Sequence, residues 1–201
     1  MKPIAHRRLA GAAVLALAAA PAHAHLVQTG FGDFYDGIVH LAVTPEDILL
    51  VAALALFAGL RGTQAARHTV LALALAWLAG GMIGVIWPFT SPLTLLTTLS
   101  FALAGALVAL NASLHPRAVT ALAIAAGLLH GLVNGAAMAL GEASHLALVG
   151  VVSAIFVLTT VIAAQVAALP EGWPRIVVRV GGSWIAATGL LMFGWIARAA
   201  T

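Results

Sequence analysis

HLAVTPEDILLVAALALFAGL, residues 40–60, opens on ionisable and polar side chains and then runs without a charge to Leu60. Thr44, Pro45, Glu46 and Asp47 read as an N-cap residue, a first-turn proline and two acidic first-turn residues, so a helix is predicted from here to about Leu60. Its apolar run approaches the length a bilayer crossing needs. Ionisable side chains are costly in hydrocarbon, and where they stand against such a run they mark a pathway or a binding site.

The composition agrees with a membrane reading. Hydrophobic residues make up 63% of the chain and charged residues only 7%, and the mean hydropathy is +1.10, a balance that leaves a soluble fold too little polar surface. The formal charge of +3 comes from nine basic and six acidic side chains spread along 201 residues. No basic patch exists to read a phosphate backbone, which excludes a nucleic-acid partner. There is no cysteine, so disulfides, thiolate ligands and cysteine nucleophiles are absent.

Residues 1–24 have the pattern of a secretory signal peptide: Lys2, Arg7 and Arg8, an apolar run from Leu9 to Ala20, then Pro21 and the small-residue ending Ala22, His23, Ala24. Cleavage after Ala24 would make His25 the first mature residue and leave 25–201 as a single transmembrane domain. Six apolar runs follow, ending near Leu60, Trp87, Leu110, Leu140, Leu169 and Arg198, with proline or capping residues at most of their starts. The predicted fold is therefore all-α, a polytopic bundle of six transmembrane helices. Arg61, Arg67, Arg117, Arg175 and Arg179 fall in or beside the loops that a cleaved signal would leave in the cytoplasm. Asp33, Asp36, Glu46, Asp47 and Glu142 fall on the opposite side, where they would concentrate cations. This places the chain in a bacterial inner membrane with both mature termini periplasmic.

Two polar pairs stand out. Asp36 and His40 are four residues apart and share a helical face, with Asp47 seven residues further on; His130 and Asn134 repeat the four-residue spacing in the outer half of the fourth run. Topology brings both groups to one membrane level. Taken singly, the acidic residues are helix caps and His130 a packing residue. Taken together, imidazole, carboxylate and amide oxygen form a set suited to Ni2+, Co2+ or Zn2+. Gly131 and Gly135 flank the second pair and would let another helix approach; Gly80, Gly81, Gly84, Gly181, Gly182 and Gly189 are read as packing positions. Thr97, Thr98 and Ser100 are read as bonding to helix backbones, and the tryptophans as interface anchors or packing.

At these residues the chain resembles the HupE/UreJ family, membrane proteins associated with nickel uptake for hydrogenase and urease. The family's HPxxxxxDH motif keeps His40 and Asp47 here, with Leu41 and Ile48 in place of its proline and second histidine, and its FHGxxHGxE motif keeps His130, Gly131 and Gly135, with Leu129, Asn134 and Ala137 in place of its phenylalanine, histidine and glutamate. The resemblance implies that His40, Asp47 and His130 contact metal, with Asn134 in the place of a family histidine. His25 would offer its amine and imidazole to one ion, such as Cu2+ or Ni2+, and Asp36 would stand with it at the mouth of the path.

Six helices and an intramembrane His-x-x-x-Asn pattern are shared with rhomboid proteases too, but there is no GxSG sequence and no histidine after His145 to serve as base. No phosphate-cradling loop or dinucleotide fingerprint is present, so no organic cofactor is expected. The reading is a permease, not an enzyme, for a divalent transition-metal ion, nickel first and cobalt next. The alternative is a membrane accessory protein that hands metal to a metalloenzyme-assembly partner; a homo-oligomer is compatible with either.

Overall fold

The computed structural model describes residues 29–90, 93–141 and 144–199. The proposed signal peptide, His25, Ser91, Pro92 and Glu142 lie outside the described residues. Among the described residues, seven helices follow one another: α1 (Asp33–Val43), α2 (Pro45–Leu60), α3 (Thr63–Ile86), α4 (Thr94–Ala109), α5 (Pro116–Leu140), α6 (His145–Ala167) and α7 (Trp173–Ala199).

Helix α1 was not anticipated, and it meets α2 at a bend of 79°. Thr44 sits at the bend, but its hydroxyl does not cap α2. It donates instead to the His40 carbonyl at 2.7 Å, closing the end of α1. Four helices, α3, α5, α6 and α7, are individually long and apolar enough to cross a membrane. The bent α1–α2 pair passes the same test as a unit, and α4 is a shorter apolar helix. At 16 residues each, α2 and α4 extend about 24 Å, less than the roughly 30 Å of a typical hydrocarbon core.

Helix α2 is the axis of the bundle. It touches all six other helices, and Leu50, Val51, Ala53, Leu54, Ala55, Phe57 and Ala58 are all buried. A helix that is apolar all round belongs inside.

The outer helices pair tightly through glycine. A Cβ on Gly80 or Gly84 of α3 would collide with the backbone oxygens of Leu128 or Leu132 of α5, and one on Gly131 or Gly135 with those of Trp77 or Gly81. Residue numbers rise together along this seam, so α3 and α5 run parallel. Helix α1 locks onto α6 in the same way, through Gly37 against Ala147 and Gly150 against Phe34. Gly182 and Gly189 of α7 pack on Val108 and Ala102 of α4. Gly181 does not follow the expectation: nothing lies within 4 Å of where its Cβ would be.

Large apolar side chains face outward around the bundle, among them Leu75, Leu103, Val157 and Leu191. In lipid this is the stable arrangement, because the backbone is satisfied within each helix and the apolar surface meets acyl chains. Trp87, Trp173, Trp184 and Trp195 are exposed, whereas Trp77 is fully buried and belongs to the core.

Candidate functional site

The α1–α2 bend and the parallel packing of α5 bring the two predicted pairs together. His40 ends α1, Asp47 lies in the first turn of α2, and His130 and Asn134 sit one turn apart on α5. All four are buried, with His130 at 0% and Asp47 at 1% exposure. This polar network joins α5 to α2 and α4 at one end of the bundle; at the other, Val119 of α5 clusters with Phe57 of α2 and Val108 of α4.

Asp47 is the hub. Its Oδ1 lies 2.7 Å from His130 Nδ1 and its Oδ2 accepts from Asn134 Nδ2 at 2.8 Å. A carboxylate only accepts, so Asn134 must turn its NH2 group toward it. The second amide hydrogen goes to the His130 carbonyl at 3.0 Å. Asn134 Oδ1 is thereby left as an acceptor, 3.1 Å from His40 Nε2, which must carry a proton. When His40 is neutral, its Nδ1 holds a free lone pair.

On the far side of His130, Nε2 lies 2.7 Å from Ser100 Oγ of α4, and Ser100 Oγ is also 2.7 Å from the Thr97 carbonyl. The hydroxyl has one hydrogen. It can donate to a neutral His130, or accept from a charged one while donating to Thr97, so a rotation of Ser100 satisfies either form. The Trp77 ring packs at 5.5 Å between centroids from the His130 ring.

A cavity of about 340 Å³ opens onto this network. Its walls include His40, Asp47 and Asn134, with Glu46 and Thr44 from the α1–α2 bend, Thr94 and Thr97 from α4, and Phe89 and Thr90 from the preceding loop. His130 lies behind it and does not line it.

Of the sequence-predicted residues, His40, Asp47, His130 and Asn134 converge. Asp36 stands apart: its Oδ1 accepts from the Thr29 amide at 2.7 Å and the Thr29 hydroxyl at 2.5 Å, and it is not part of the cavity wall. His25 lies outside the described residues. Among the described residues, no three His, Cys, Asp or Glu side chains form a ready metal cluster, since the four polar groups bind one another.

Thr97 and Ser100 bond to helix backbones as expected, whereas the buried Thr98 hydroxyl, expected to do the same, has no partner among the described residues; the Ser100 contact with His130 and the Trp77 ring beside it have no signal in the sequence. The sequence marks Glu46 as a first-turn acid on the cation-attracting side of the bundle but does not place it in the site. Its place on the cavity wall follows from the 79° bend, which no spacing in the sequence encodes.

A family model described as HupE / UreJ protein matches residues 13–192. The chain therefore belongs to the HupE/UreJ family, which is associated with nickel or cobalt transport or with urease and hydrogenase maturation. No curated protein and no solved structure gives a significant match.

Proposed function

From this membership and the buried network we propose that the protein is an inner-membrane permease for a divalent transition-metal ion, nickel before cobalt, that supplies hydrogenase- or urease-type enzymes. The observation that carries the reading is a buried carboxylate, Asp47, bonded to the His130 imidazole and to the Asn134 amide, which in turn bonds the His40 imidazole, with Asp47, Asn134 and His40 lining an open cavity. A dication reaching the cavity meets Glu46 and the hydroxyl-lined α4 wall first. It then exchanges water for the Asp47 carboxylate, Asn134 Oδ1 and the His40 imidazole, nitrogen and oxygen donors that suit nickel. The Asp47 and Asn134 oxygens are already engaged, so binding there must break hydrogen bonds, while Nδ1 of neutral His40 offers a lone pair directly. A site that binds only moderately also releases its ion, as permeation requires. In this reading the cavity opens to the periplasm and the mature chain begins at His25, which offers a capture point outside the cavity.

The second reading, an accessory protein that binds or passes metal without transporting it, is favoured by the lack of a ready three-ligand cluster among the described residues. Metal accumulation by cells expressing the protein separates the two. Uptake should follow nickel above cobalt, zinc and copper, and His40→Ala should lower nickel uptake at least about tenfold with the membrane abundance of the protein unchanged. Absence of uptake by the abundant wild-type protein would leave the accessory reading.

A further inference from the structure

Threonine and serine in a membrane helix ordinarily donate to the carbonyl one turn back, and here Thr120, Thr160, Ser183 and Thr188 do so. Thr69 of α3 and Thr159 of α6 do not. Both are 0% exposed, and neither hydroxyl has a hydrogen-bond partner among the described residues. The indole N–H of fully buried Trp77 is likewise unpartnered. Buried polar groups without protein partners are the places where proteins hold internal water.

Register sets these groups in a line. Gly81 packs on Leu148 and Ala66 clusters with Ala163, so α3 and α6 run antiparallel with residue numbers summing to the same value at each contact. Thr69 and Thr159 consequently lie at one level, on the inward faces of neighbouring helices. Along the parallel α3–α5 seam, Trp77 is level with Gly131, beside His130. Thr69 is eight residues below Trp77, about 12 Å further toward the end of the bundle opposite the cavity. At the same ends of α3 and α6 a groove of about 300 Å³ opens on the outward side of the pair, walled by Thr63, Arg67, Val70, Thr160 and Ala163, of which Thr63, Arg67 and Thr160 are exposed. Thr98, also buried and unpartnered, lies off this line: Ala102 and Gly105, one and two turns on, face α7.

We infer that Trp77, Thr69 and Thr159 line a hydrated inward leg, through which a partly hydrated divalent cation passes from His130 to the far end of the bundle. The indole N–H holds water, and the two threonine oxygens replace water around the ion. This inference rests on the transport reading for its cargo, but the hydration it requires can be tested separately.

The natural absence of cysteine makes single-cysteine labelling clean. Thr69→Cys and Thr159→Cys in the otherwise intact membrane protein should react with a small water-soluble methanethiosulfonate reagent. Val108→Cys in the dry core should not, and Glu171→Cys in an exposed loop should react fully. Failure of both threonine positions to label overturns the inference. The second arm is nickel uptake by a Thr69→Val, Thr159→Val double variant. A dry packing role predicts unchanged uptake, because valine removes two unsatisfied hydroxyls at nearly constant shape. The hydrated leg predicts a loss of about tenfold, restored by serine at both positions. Uptake retained by an abundant double-valine protein overturns the inference; should that variant be poorly made, the labelling decides alone. Labelling of Thr69→Cys and Thr159→Cys in a protein whose wild type takes up no nickel would remove the transport reading and leave the hydrated leg standing.

Discussion

At the scale of single residues, Asp47 decides most. Its two oxygens serve His130 and Asn134 at once, so Asp47→Ala strands two buried donors, a loss of about 3–5 kcal/mol. Once Asp47 is absent, removing His130 as well should cost little more, and the double variant should fall short of the sum by about 1–3 kcal/mol. Thermal or denaturant unfolding of the purified variants in detergent measures this; additive losses would mean that the 2.7 Å pair contributes nothing through contact. Asn134→Asp should be worse tolerated than Asn134→Ala, since it sets a second acceptor-only carboxylate against Asp47. The convergence of these residues was legible in the sequence, because four-residue spacing and alternating helix direction fix both face and depth. The Ser100 contact was not. It depends on how α4 is rotated about its axis, and a helix with apolar residues on all sides carries little signal of that rotation.

At the scale of helices, glycine sets the distances. A methyl group on Gly131 or Gly135 would fall onto backbone of α3, which cannot swing away as a side chain can, so either change to alanine should destabilise by about 1–3 kcal/mol. Gly181 and Gly194 have open space where a Cβ would go, and alanine there should be neutral or stabilise by up to about 1 kcal/mol through helix propensity. Melting temperatures of the four single variants test the contrast, and a loss at Gly194 equal to that at Gly131 would reject the close-packed seam. The seam was partly legible, since small residues spaced by four mark an interface. The pairing of Gly181 with Gly182 concealed that only the second faces inward. Helix α1 escaped detection because 11 residues with a glycine near the middle lack the length of a span, and its stability comes from docking Gly37 and Phe34 onto α6 rather than from its own propensity.

For the whole molecule, orientation is predicted from the distribution of charge and the relative directions of the helices. The starts of α2 and α4 and the end of α5 line one cavity, and α4 and α7 run antiparallel, so α2 begins and α7 ends on the same face of the bundle. Arg61, Arg67, Arg117 and Arg175 gather near the opposite face. Burial and the neighbouring Arg175 push the Arg61 guanidinium below its ordinary pKa, and the same side chain holds Asn111 and lies over the Phe57 ring at 5.9 Å. Such a concentration of fixed positive charge is retained on the cytoplasmic side during insertion. The proposed import of cations requires that the cavity with Glu46 and Asp47 face the periplasm, the side this charge distribution predicts for it. A periplasm-dependent reporter such as alkaline phosphatase, fused after Thr201, should therefore be active, and the same reporter inserted beside Arg61 should be silent. The opposite pattern would turn the cavity toward the cytoplasm and make the network a site of metal release or export.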